Sequence, residues 1–373
     1  MQHNLAAALL DRLRTIEAGD PARFERLRSA IESDGRDAAE PPTIAVFDAK
    51  AFDLDAFEEA NGGRFQLKRI KDTLSTQTAG AAAGAVAACI FVNDRCDAAE
   101  VQALASVGVG LIALRCAGYN NVDLQACADH GIDVVRVPAY SPHAVAEHTI
   151  ALALMLNRHL HIAYLRNRTG AFTLDGLTGF DMHGKTVGVI GTGQIGRCVI
   201  DAVLGFGCRV VAFDAYPNEA FAQQPNVEYA SLDALLAQSD IVSLHVPLME
   251  ATHHLIDHDA IEKMKPGAML INTSRGGLID TRALIDGLKS GRIGAAGLDV
   301  YEEEAGIFFR DLSSQVLTDD VLARLMSFNN VVVTSHQAFL TREALTAIAE
   351  TTLASVAEYL AGRRGDELTH RVS

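Results

Sequence analysis

The chain has 373 residues, of which 49% are hydrophobic and 21% charged, enough for two domains that each bury a core. Its formal net charge of −15 argues against nucleic acid or an anionic membrane as a partner, and it means that a small anionic substrate must be drawn in by a local cation. The longest apolar stretch, "AGAAAGAVAACIFV" from Ala79 to Val92, is Ala-rich and too short for a bilayer, which needs about 20 residues.

At the N-terminus, "LAAALLDRLRTIEAG" and "PARFERLRSAIESDG" carry apolar residues at helical spacing, and each ends in Gly before Pro41 and Pro42 close the segment. This predicts a helical N-terminal extension over residues 1–42, a hairpin suited to packing at a subunit interface. Asp11, Arg12 and Arg14 interrupt its apolar run, so it does not read as a signal peptide. Six cysteines (Cys89, Cys96, Cys116, Cys127, Cys198, Cys208) form no CxxC pair and fall in apolar segments, as reduced core thiols of a cytoplasmic protein do. Cys116, beside Arg115, could be a more reactive thiol.

From Thr43 onward strands alternate with helices. "TIAVFD", "FQLKRI", "ACIFVND", "LIALRC" and "DVVRV" read as strands. "LDAFEEAN", the Ala-rich run after Ser75, "DAAEVQALASVG" and "DLQACADHG" read as helices between them. The rhythm is that of βαβ units and a parallel sheet. "SPHAVAEHTIALALMLNRHLHIAYLRN" then reads as one long helix with Pro142 in its first turn, and the loop around Gly170–Gly184 ends the first half. The alternation restarts with "KTVGVIG", "RVVAFD", "IVSLHVP", "AMLINTS", "AGLDV" and "VVVTSH", and "TREALTAIAETTLASVAEYLAG" forms a last amphipathic helix. The fold class is therefore α/β: two Rossmann-like or flavodoxin-like parallel-sheet domains with a cleft between them, plus the helical extension. Because the second sheet starts afresh, the C-terminal helix can return to complete the first.

"TVGVIGTGQIGR" places Gly191, Gly193 and Gly196 in G-x-G-x-x-G spacing, after a buried strand and at the opening of a helix. Gly191 permits the tight turn, Gly193 lets the backbone approach a pyrophosphate, and Gly196 lets helix and strand pack closely. The next strand ends in Asp214, where a carboxylate accepts from ribose hydroxyls and repels a 2′-phosphate. No Arg or Lys follows in "DAYPN", so NAD is expected rather than NADP.

Three later strands finish on chemistry: "AMLINTSRGG" on Arg275, "AGLDVYEEE" running into Glu304, and "VVVTSHQAF" on His336. Carboxyl ends of strands in an open parallel sheet face the ligand crevice, so a cation, an acid and an imidazole can converge beside a bound nicotinamide. Singly, each is more often a surface ion-pair or hydrogen-bonding residue. Together they suit hydride transfer to a 2-oxo acid. A guanidinium binds the carboxylate and polarises the carbonyl, an imidazolium gives a proton to the alkoxide, and a carboxylate favours the charged ring.

"CIFVND", "LRCAGYNNVDL", "VPAYSPHAVAEH", "VIGTGQIG", "HVPL", "NTSRGGLID", "GLDVYEEE", "FFRDLSSQVLTDDVLARL" and "TSHQAFLTREAL" together resemble the D-isomer-specific 2-hydroxyacid dehydrogenases over about residues 43–365. The "IFFRDLSSQ" insertion is similar to that of the bacterial fermentative D-lactate subgroup. The resemblance implies NADH-dependent reduction of pyruvate to D-lactate, with Arg275 binding substrate, Glu304 (rather than Glu302 or Glu303) as the acid, and His336 as proton donor. It implies that the turn at Ala117–Gly118 and Tyr140 hold the substrate carboxylate, and that Phe339 and Phe91 wall the space beside its methyl group. For the cofactor it implies Gln194 and Ile195 in the glycine turn, Asp214 on the ribose, and Val246, Pro247 and Thr252 along adenine and ribose. Thr273, Ser274 and Arg275 line the nicotinamide side, and Asp299 binds its carboxamide. It further implies a substrate domain of residues 43–141 and 335–373, an NAD-binding domain of residues 142–334, and a homodimer or dimer of dimers.

His253 with His254 and His258, or His159 with His161, invite a metal reading, but none joins cysteines or an HExxH motif, so no metal is expected. Two other functions stay open in the sequence: the same chemistry on a bulkier acid such as phenylpyruvate, and a non-catalytic NAD(H)-sensing binding protein. Phe91, Tyr140 and Phe339 favour a small side chain, hence pyruvate.

Overall fold

A computed structural model describes residues 40–218 and 221–372. The helical extension expected over residues 1–42 lies, apart from its last three residues, outside the described residues.

Among the described residues, twelve strands fall into two sheets. The first joins β1 (Thr43–Val46), β2 (Gln66–Arg69), β3 (Ala85–Ile90), β4 (Leu111–Leu114) and β5 (Asp133–Arg136) in the order β2-β1-β3-β4-β5. The second comprises β6 (Thr186–Ile190), β7 (Arg209–Phe213), β8 (Val227–Tyr229), β9 (Ile241–Leu244), β10 (Ala268–Asn272), β11 (Ile293–Leu298) and β12 (Val331–Val333). Its order is β12-β11-β10-β9-β6-β7-β8. Every ladder is parallel, as the continuous apolar runs require when helices cover both faces. Chain order reverses between β1 and β3 in one sheet and between β6 and β9 in the other, so each has a switch point where strand ends splay into a crevice.

The C-terminal helix Arg342–Leu360 buries Ile348, Leu353 and Val356 with Ile44, Leu111 and Phe57 in the core of the first sheet. It packs on helix Ala51–Asn61. The chain thus leaves the first sheet, builds the second and returns.

Three expectations are corrected. The Ala-rich run after Ser75 is not a helix. Only the single 3-10 turn Ala79–Ala82 forms, because Gly84 takes φ +81° and β3 begins at Ala85. The long helix after Ser141 is two, Pro142–Asn157 and Leu160–Arg168, broken at His159, whose φ is +48°. Asn157 makes the break by turning its amide to Phe180, donating to its carbonyl and accepting from its N–H, each at 2.8 Å. The edge strand β8 was also missing from the sequence reading: at three residues it leaves little periodicity.

Candidate active site

Residues from both sheets line one cavity of about 330 Å³. Phe91 follows β3, Arg115 to Gly118 follow β4, and Tyr140 follows β5, while Arg275, Glu304 and His336 come from beyond β10, β11 and β12. All lie past the carboxyl ends of parallel strands. Phe339 and Ile348 close the wall from the C-terminal segment.

The imidazole is held on one side by an acid that is itself held. His336 Nδ1 lies 2.7 Å from Glu304 Oε1, and the Tyr301 N–H donates to the other oxygen of Glu304 at 3.1 Å. His336 sits at φ +52°, a left-handed conformation that disfavours a side chain, and Asp299 fixes it there. The His336 N–H donates to the Asp299 carbonyl at 2.7 Å. The Asp299 carboxylate accepts from Thr334 Oγ1 at 2.6 Å, Gln337 N at 2.8 Å and Ala338 N at 2.9 Å. Burial pushes the Asp299 carboxyl up, but His148, Thr334 and the Ala338 N–H outweigh it and hold the group below the ordinary carboxylate range. With Nδ1 occupied by the acid, Nε2 is the nitrogen left to meet a substrate.

Arg275 follows β10, oriented by Asn272, whose side-chain amide donates to the Arg275 carbonyl at 2.8 Å and accepts from Ser274 N at 3.0 Å. Its guanidinium approaches Gly118 so closely that a Cβ there would lie 3.1 Å from Nη2, so guanidinium and glycine turn form one anion-facing surface. Among the described residues the N–H groups of Ala117 and Gly118 donate to no other backbone group, as an anion-binding turn requires. Burial holds the Tyr140 phenol above its usual range, against the Arg275 charge, so it stays protonated and can donate.

Phe339 stands 6.1 Å from both Phe91 and Tyr140, ring centre to ring centre. Phe309, from the "IFFRDLSSQ" insertion, meets Phe91 edge-on at 5.3 Å and lies 6.0 Å from the His336 ring. Cys116 lines the cavity, but burial pushes its thiol up to about 12 despite nearby Arg115 and Arg275, which disfavours the reactive thiolate considered beside Arg115.

The nucleotide motif has the geometry its spacing implies. Gly191 takes φ +96° and a Cβ on it would meet the His245 carbonyl at 2.6 Å, while a Cβ on Gly196 would meet the Gly191 carbonyl at 2.0 Å. Around a Cβ placed on Gly193 there is open space, the gap a pyrophosphate needs. Gly193 is the N-cap of helix Gln194–Gly205, which Gln194 and Ile195 open with N–H groups facing that space. Asp214 accepts from Thr192 N at 2.6 Å and Tyr216 N at 2.9 Å. Burial raises its carboxyl, but these bonds and nearby Arg197 bring it below the ordinary range, so it is an anion at neutral pH. Ser274 Oγ donates to the Val246 carbonyl at 2.6 Å and Thr252 Oγ1 to the Pro247 carbonyl at 2.7 Å. Thr273 Oγ1 pairs with Thr149 Oγ1 at 2.8 Å, turned toward helix Pro142–Asn157. The residues present therefore fit a dinucleotide.

Sequence reasoning passed over Asn272, Phe309, Asn120, Asn121 and Arg115. The dipeptide "NN" and the second Phe of the insertion carried the available signal. Arg115 carried none, since its partner Asp53, 3.0 Å from its Nε, is 62 residues away.

The chain belongs to the D-isomer-specific 2-hydroxyacid dehydrogenases: residues 150–338 match the family's NAD binding domain. NAD is accordingly its cofactor. Among its relatives, the D-lactate dehydrogenase of Escherichia coli (strain K12) is 50% identical over 311 residues, covering 83% of this chain and 94% of that protein. The 2-hydroxyacid dehydrogenase homolog 1 of Schizosaccharomyces pombe is 49% identical over 318 residues, 85% of this chain and 96% of the relative. The solved structure of the pyruvate reductase of Chlamydomonas reinhardtii gives a TM-score of 0.83 at 47% identity, covering 87% of this chain and 98% of that one.

Proposed function

We propose that this chain reduces pyruvate to D-lactate with NADH. One observation carries the reading furthest: His336, paired with Glu304 at 2.7 Å, shares a small aromatic-walled cavity with Arg275. NADH, when bound, supplies the hydride to the substrate's C2.

The residues of the chain do the rest. The Arg275 guanidinium binds the substrate carboxylate and polarises the carbonyl, aided by the Ala117–Gly118 turn and the Tyr140 hydroxyl. His336 Nε2 gives its proton to the developing alkoxide, and Glu304 stabilises the imidazolium beforehand. Phe91 and Phe339 wall the methyl group. Gly191, Gly193, Gln194, Ile195 and Gly196 would hold the pyrophosphate, Asp214 the ribose, and Val246, Pro247 and Thr252 the adenine side. Thr273, Ser274, Arg275 and Asp299 would border the nicotinamide. In this reading residues 43–141 and 335–373 form the substrate domain and residues 142–334 the NAD-binding domain.

The test is decay of NADH absorbance with pyruvate, followed by an enantiomer-specific assay of the product. L-lactate, or no turnover, rejects the reading.

A homodimer, alone or as a dimer of dimers, belongs to the same proposal. Leu160, Tyr164, Leu165, Phe172 and Leu174 are each more than half exposed within one stretch of fifteen residues, an apolar surface suited to a second copy. Light scattering that finds a monomer at assay concentrations rejects it. We place the enzyme in the cytoplasm. Among the described residues no helix is long and apolar enough to cross a membrane, and the six cysteines are free.

A further inference from the structure

His253 and His254 lie outside the cavity, just past the turn Glu250–Thr252, with their rings stacked at 3.9 Å between centroids. Glu302 reaches them from 48 residues away, its Oε1 2.5 Å from His254 Nε2. One ligand atom from each of the three lies within 4.8 Å of the other two. That is close to the span of a single coordination shell: donors about 2.1 Å from a common ion are at most about 4.2 Å apart.

The surroundings hold these donors in place. The second oxygen of Glu302 accepts from Thr281 Oγ1 at 3.0 Å, which fixes the carboxylate and presents Oε1. His254 takes φ +51°, and its N–H donates to the Gly277 carbonyl at 2.8 Å. A carboxylate oriented by an outer hydroxyl, beside an imidazole on a fixed backbone, is how metal ligands are commonly supported. All three residues keep contact with solvent, so water can complete the shell.

We propose that His253, His254 and Glu302 form a binding site for a divalent transition-metal ion of the zinc class. Two imidazole nitrogens and one carboxylate oxygen suit zinc, cobalt or nickel, whereas magnesium and calcium favour all-oxygen sets. On binding, the contact between His254 Nε2 and Glu302 Oε1 opens and both atoms turn to the ion. Gly277 is two residues past Arg275, and Glu302 two before Glu304. The ion would therefore clip the loop that carries the cavity's acid to the His253–His254 segment, which is hydrogen-bonded at Gly277 to the loop that carries Arg275, without touching the reacting atoms. The sequence hid this set because histidine spacing alone does not reveal a ligand that arrives from β11.

The full chain, stripped with a chelator, is titrated with zinc chloride by calorimetry beside His253→Ala, Glu302→Gln and Thr281→Val. Among the described residues the exposed His253 side chain makes no hydrogen bond, so its removal should leave folding and NADH binding intact. The expected result is one saturable ion per chain, bound about tenfold or more weakly by each variant. Cobalt should give a visible band that His253→Ala loses. Absence of saturable binding to the folded parent, unchanged affinity in His253→Ala, or equal competition by magnesium overturns the proposal.

Discussion

His336 and Asp299 are joined through the backbone, N–H to carbonyl at 2.7 Å, while the Asp299 carboxylate accepts from the next two N–H groups along the chain, those of Gln337 and Ala338. The acid thus shapes the turn that carries the imidazole, in addition to any contact with the cofactor. Because its folded pKa is depressed, its contribution is present above the unfolded carboxylate range and lost as pH falls through the folded value. Asp299→Asn should cost about 2–4 kcal/mol at neutral pH, since it leaves buried donors unpaired. Urea unfolding at neutral and acid pH checks this: the gap between parent and variant should narrow below about pH 4. A gap independent of pH rejects the account.

His336→Ala should lower pyruvate reduction by about two to four orders of magnitude, the usual weight of a positioned proton donor. NADH binding, followed by fluorescence, should stay near the parent's, because the glycine turn and Asp214 lie on other strands. A variant retaining more than a tenth of parental kcat would remove His336 from the mechanism.

Glu304→Gln separates proton donation from its support. Removing the carboxylate 2.7 Å from Nδ1 takes away the partner that orients the ring and balances the charge of the donor. Pyruvate kcat/KM should fall by about ten- to a hundredfold while NADH binding, followed by fluorescence, stays near the parent's. An unchanged kcat/KM contradicts the pairing.

Much of this site could be read before the fold was known, because its parts are local. A glycine turn, an acid at the end of the next strand and charged residues closing three apolar runs are each set by near neighbours along the chain. What escaped reading depended on distant partners or on single backbone angles. The break at His159 depends on Asn157 finding Phe180, and Arg115 is buried because Asp53 reaches it. The bracing of Arg275 depends on Asn272 turning back along its own loop, which no periodicity records. The Ala-rich run misled because alanine's helix preference lost to Gly84 and to a place in the middle of a sheet.

Asp214→Asn should exchange cofactor preference. The carboxylate is an anion at neutral pH at the end of β7, where a 2′-phosphate would meet it. Loss of the charge should weaken NADH and improve NADPH by about tenfold each, about 1.4 kcal/mol apiece. KM values for the two cofactors decide it, and an unchanged ratio moves the ribose site elsewhere.

Phe309 tests the limit on substrate size. It comes from the insertion after β11, yet it packs against the core of the first sheet, meets Phe91 at 5.3 Å and receives the Lys50 ammonium on its carbonyl at 3.1 Å. It therefore both spans the cleft and backs the aromatic wall beside His336. Phe309→Ala removes that backing, and Phe91 can then turn away from the cavity. Pyruvate kcat/KM should fall by about tenfold, a loss of about 1.4 kcal/mol in positioning, while phenylpyruvate gains relative to pyruvate by a similar factor. Turnover of both acids by parent and variant gives the ratio. If it does not move, Phe309 only ties the two sheets together, and the size limit rests on Phe91, Tyr140 and Phe339 alone.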